Sequence, residues 1–217
     1  MLGLLREGTI RILNGVGGVE PLLDLVNLSV PKKIRVQVAI LRDPSTPLGM
    51  TATPSTVEGP LDEMQNIFWN GANVSVARAR GRIRVLEDFA PDVALRVHCN
   101  SEPKDAVPGE ADEYFRGHSQ SSPTRSLGYG EPVTVFIVKE AVGDPEGCFP
   151  GDRTGYVILE RGALERGNRV MAHRVAHACG LHHVTEENNL MVPTRHGREL
   201  KPWQKAIFRN SPHVTHF

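Results

Sequence analysis

The 217-residue chain predicts one α/β domain, a sheet with helices on its face followed by a smaller C-terminal part. Three observations carry that expectation. β-branched runs at 34–41 and 133–138 read as strands. Leu61, Met64, Ile67 and Phe68 recur at helical spacing and read as an amphipathic helix. The strands fall mainly before a His-rich segment at 168–180 that reads as the longest later helix. A chain of this length buries about 70% of its unfolded surface, so it needs neither disulfide nor metal merely to fold.

Taken in order, residues 1–30 are mixed, with Leu22, Leu23, Leu25, Val26 and Leu28 able to form a short helix before Pro31. The strand at 34–41 follows. Residues 44–59, rich in Pro, Thr and Ser, read as loop. The helix over 61–70 ends at Asn70 and Gly71, which accept the left-handed conformation. Residues 82–86 alternate polar and apolar and read as a strand, with 93–97 as a further short one. Residues 100–131 carry many charged, Ser, Gly and Pro residues and read as a long surface insertion. The strongest strand is 133–138, a turn-rich stretch covers 143–155, and another strand covers 155–159. A helix over 168–180 and a last one over 201–209, with Pro202 in its first turn, complete the chain.

Composition excludes several classes. Lys plus Arg and Asp plus Glu both number 25, so no basic footprint for nucleic acid or an anionic membrane is expected. Hydrophobic residues at 40% and charged ones at 23% fit a globular chain rather than a disordered one. Cys99, Cys148 and Cys179 are too sparse for a disulfide framework, though they leave room for one bridge such as Cys99 to Cys148. The first residues show neither a basic segment nor a long apolar run, so the chain reads as intracellular, in the cytoplasm.

The chemistry lies in His173-Arg-Val-Ala-His177-Ala-Cys-Gly180-Leu-His182-His183. On a helix, residues four apart share a face, so His173 and His177 project together. Gly180 can take a positive φ and turn the chain sharply out of the helix. His183 then returns as a third ligand, with His182 left outside the site. Three neutral imidazoles around tetrahedral Zn2+ leave one open position, the arrangement of a catalytic site. Cys179 reads as a small buried residue of the same helix.

His173-x-x-x-His177-x-x-Gly180-x-x-His183 resembles the long zinc motif HExxHxxGxxH of the metzincin metalloproteases. Asn189-Leu-Met191-Val-Pro193, which follows, looks like that family's Met-turn, where a Met floors the zinc site. The order of elements from about 33 to 212 is similar too. The resemblance implies a twisted, mostly parallel sheet with an antiparallel edge strand, a zinc-binding helix, a Met-turn and a closing helix. It implies an N-terminal extension at 1–32 and a catalytic domain at 33–217, divided near 180. It also implies Zn2+ as cofactor, a protein or peptide substrate, and an extended substrate pairing beside Gly147, Cys148 and Phe149.

One position departs from the family. Its general-base Glu follows the first His, and here Arg174 stands there. A guanidinium cannot accept a proton, and losing a general base costs about 10²–10⁴-fold. Repulsion from the metal is expected to push Arg174 outward or to weaken metal binding. Three explanations stay open. Arg174 could be an inactivating substitution in a working zinc endopeptidase, or a native residue of a pseudoprotease that binds peptides without cutting them. Alternatively, Glu186 or Glu187 takes the base role.

Overall fold

The computed structural model describes residues 30–77, 82–99, 109–119, 130–144, 146–148, 155–167, 169–193 and 196–215. The helix expected before Pro31, and Phe149, lie outside the described residues.

Strand β1 (Lys32–Arg42) is the axis of the main sheet. Parallel to it on one side run β2 (Val74–Ala77), beside its first half, and β3 (Ile83–Phe89), beside its second. On the other side run β5 (Val133–Val138) and then β7 (Tyr156–Glu160), both parallel. The antiparallel member is β8 (Val214–Thr215), which pairs with Lys33 and Ile34 of β1. The sheet is therefore mostly parallel, as expected. Its antiparallel strand lies at the C-terminus, while β7, just before the His-rich helix, is parallel. A second, two-stranded parallel sheet joins β4 (Arg96–His98) to β6 (Glu140–Val142).

Pleating sorts the side chains of each strand between two cores. Ile34, Val36, Val38 and Ile40 of β1, with Val133, Val135 and Ile137 of β5, face one core. Against it lie α1 (Pro54–Ala72), α5 (Val170–Ala178) and Phe208 of α6 (Pro202–Arg209). Ala39, Leu41, Phe136, Val138, Tyr156 and Ile158 face the other. That side is covered by α2 (Asp92–Leu95) and α3 (Glu110–His118), whose Phe115 ring lies 4.8 Å from Phe136. A short α4 (Arg161–Arg166) follows β7.

Three expectations need correction. Helix α1 begins at Pro54, inside the stretch read as loop. Thr53 caps it by accepting from the Thr56 N–H, and Pro54 occupies the first turn, where no N–H is needed. Of residues 93–97, read as a strand, 93–95 belong to the helical turn α2, which Pro91 and Asp92 initiate, and only Arg96 and Val97 lie in the short β4. The region read as insertion contains α3, whose Ala111 and Phe115 are buried. Among the described residues, no helix is long and apolar enough to cross a membrane.

Candidate metal centre

Helix α5 packs against β7 and α1 and is buried along nearly its whole length. Its end is set by two bonds. Leu181 N–H donates to Ala176 O (3.1 Å) and Gly180 N–H to His177 O (2.8 Å). This is a Schellman ending, which needs a left-handed residue. Gly180 supplies it at φ +87°. The chain then doubles back, and His183 meets the two helix histidines.

The three Nε2 atoms lie 3.1–3.2 Å from one another. Tetrahedral Zn2+ with bonds of about 2.0–2.1 Å puts its ligand nitrogens about 3.3 Å apart, so the triangle matches that ion's size. The ring orientations are held from behind. His173 Nδ1 donates to Leu190 O at 2.8 Å, and His177 Nδ1 to Leu181 O at 2.7 Å. A carbonyl only accepts, so these bonds place the protons on Nδ1 and leave bare lone pairs on Nε2. Burial, followed by the neighbouring imidazole, pushes His173 down to about 2 and His177 to about 3. His183 is lowered too, by burial and by Arg174. Near neutral pH the Nε2 atoms of His173 and His177 present bare lone pairs 3.1 Å apart, and lone pairs at contact distance repel. A shared cation is what relieves the repulsion, so the donor set fits a divalent metal.

Met191 is fully buried, in a turn closed by Val192 N–H donating to Asn189 O (3.2 Å). Asn189 Oδ1 accepts from Met191 N–H at 2.9 Å, and the amides of Asn189 and Gln204 bond each other at 2.6 and 3.1 Å. This couples the turn to α6. From the other side, Arg169 Nη1 donates to Leu190 O at 2.5 Å and Nη2 to Val192 O at 3.0 Å. Burial lowers the Arg169 pKa.

Arg174 is not turned outward, and its charge is felt by all three imidazoles. Its side chain is 7% exposed, with Nη2 2.8 Å from Asp144 Oδ2 and 3.9 Å from Glu146 Oε2. Both carboxylates sit on the loop after β6. Glu186 is exposed and ion-paired with Lys201, while Glu187 and His182 are exposed. Cys179 is buried beside Ser211, and burial pushes its thiol up to about 12.

Near the edge of β7, Cys148 O accepts from Ile158 N–H at 3.0 Å, and Cys148 is disulfide-bonded to Cys99. Gly147 has φ +110°, and a Cβ there would stand 2.1 Å from Ile158 O. No other residue fits that approach. Gly147 and Cys148 thus flank the edge strand, with one backbone acceptor of the pair used inside the chain.

The helical spacing and glycine in the sequence pointed to the three imidazoles. Sequence reasoning missed Arg169, Asp144, Glu146 and Gln204. Their partners lie 15 to 30 positions away, and no local periodicity marks such contacts.

No family model matches the sequence, and no curated protein is significantly similar to it. Among solved structures the chain is similar to metalloproteinase-II from Bacteroides fragilis, at 10% identity and a TM-score of 0.42. The match covers 79% of this chain and 49% of that one, so the chain spans about half its length.

Proposed function

We propose that this chain is a zinc protein of metzincin peptidase type, in which His173, His177 and His183 hold the metal and Met191 floors it. The observation that carries this reading is the triangle of Nε2 atoms at 3.1–3.2 Å, with the His173 and His177 Nδ1 protons turned away to carbonyls. When bound, zinc would polarise water and a scissile carbonyl in a peptide substrate. An extended peptide would pair alongside the 147–149 segment, next to the edge of β7. The hydrolytic form of this function needs a carboxylate at position 174, and Arg174 cannot take up a proton. Hydrolysis by the chain as it stands is therefore negligible.

The ion pairs of Arg174 favour a second reading, a native pseudoprotease that holds peptides without cutting them. A Glu at 174 would face Asp144 and Glu146, two like charges, whereas Arg174 is matched to both. The Cys99–Cys148 bridge also supports an oxidising compartment rather than the cytoplasm.

The experiment starts with the full chain stripped by chelator and titrated with Zn2+. One equivalent should bind, and none in H173A/H177A; failure of the unaltered chain to bind would overturn the reading. R174E and the unaltered chain are then given a denatured protein mixture with and without chelator. Chelator-sensitive cleavage by R174E alone supports the disabled endopeptidase. Cleavage by neither, with zinc-dependent peptide retention by the unaltered chain, supports the binding module.

A further inference from the structure

We propose that Arg169 is a positioning residue of the metal centre, clamping the carbonyls on both sides of Met191 and so fixing the acceptor that orients His173. The inference rests on the three-His metal site proposed above. Arg169 stands immediately before α5 and is 4% exposed. Its two terminal nitrogens reach two carbonyls of one turn, Leu190 O at 2.5 Å and Val192 O at 3.0 Å. Leu190 O also accepts the Nδ1 proton of His173 at 2.8 Å, and Arg169 Nη1 itself lies 3.2 Å from that Nδ1. One guanidinium therefore touches the turn below the site and the outer shell of the first ligand.

The residue type matters. A guanidinium is a rigid planar fork, so serving two carbonyls at once leaves the turn little freedom relative to α5. An ammonium is a point charge on a flexible stem and can hold one of the two well. Burying a cation is costly, and an apolar side chain would fill the same space more cheaply. The arginine makes sense where the carbonyl positions themselves matter. Here they do, because Leu190 O sets the tautomer and ring plane of His173. Gln204 holds the same turn from α6, through the amide of Asn189. The turn is thus gripped from both flanking helices.

The test compares the unaltered full chain with R169M and R169K. Zinc affinity is read by competition with a chromophoric chelator, and site geometry by the visible absorption of bound Co2+. Outer-shell partners of ligating histidines typically set about 10–100-fold in metal affinity. R169M should therefore bind zinc about 10–100-fold more weakly with altered Co2+ bands, and R169K should recover part of both. Circular dichroism of the metal-free chains should stay the same. A folded R169M with unchanged affinity and bands would overturn the proposal. So would failure of both variants to fold even in excess zinc, which would make Arg169 a residue of the fold in general. Failure of the unaltered chain to bind either ion would instead sink the three-His reading itself, without reference to the variants.

Discussion

Side by side on α5, His173 and Arg174 point about 100° apart around the helix, which is why one can face a metal while its neighbour does not. Arg174 uses that freedom to reach Asp144 and Glu146. Its charge is balanced by those two carboxylates. Removing one partner of a buried ion pair leaves the other charge stranded. D144N should therefore lower stability by about 1–3 kcal/mol, less than for a fully buried pair because Asp144 is 38% exposed. R174E should destabilise as well, by crowding three carboxylates, and R174E/D144N/E146Q should recover part of the loss in urea unfolding. His213 makes a different residue-level prediction. It is buried, donates from Nδ1 to Glu131 O at 2.9 Å, and burial holds its pKa below 6.5. The unfolded chain then binds more protons at acid pH, so this contribution is full above about pH 6.5 and is lost as pH falls below it. His173, His177 and His183 act in the same direction, so the comparison must be with H213Q, whose amide can still donate. Between about pH 7.5 and pH 5.5 the urea midpoint of H213Q should fall less than that of the unaltered chain.

Helix α5 shows most clearly what one element can and cannot announce from its own residues. Its ligand face is legible because a four-residue interval and a terminal glycine are local signals. The bonds of Leu181 and Gly180 at its end then realise the turn that Gly180 implies. The clamp of Arg169 on Leu190 and Val192 is not legible, since nothing near residue 169 says that a turn 21 positions later will pack there. Helix α1 was misread for an opposite reason. Pro54 falls in the stretch read as loop, yet it sits where a helix can begin, and Pro60 inside the helix costs one backbone bond within 19 residues. Strand β8 is two residues long and has no periodicity to read. The end of α5 is also where an element-level prediction belongs. A Cβ at Gly180 would meet only Ile207 Cγ2, at 3.6 Å, so space is no obstacle. The left-handed φ is, at about 1–2 kcal/mol for a residue with a side chain. G180A should lose that much stability. Any unwinding of the turn displaces Leu181 O and His183, so zinc affinity should fall with it, measured by the same competition.

Across the whole molecule, the loop after β6 joins the two cores. Cys99 belongs to the core under α2 and α3, and Cys148 packs against it. Between β6 and Cys148, the same loop passes the edge of β7 and places Asp144 and Glu146 on Arg174, on the other side of the sheet. The bridge closes a separation of 49 residues. Chain entropy for a loop of that size gives about 4 kcal/mol, and bridges in proteins deliver about 2–4. C99S/C148S should lose an amount in that range in urea unfolding. The loss should be coupled to the ion pair, because a loop freed at Cys148 holds its carboxylates less firmly against α5. Contacts that share a segment are non-additive. The cost of D144N should therefore shrink in the C99S/C148S background. An equal cost in both backgrounds would mean that Arg174 gathers its partners without help from the bridge, and that the two cores are joined at α5 by the sheet alone.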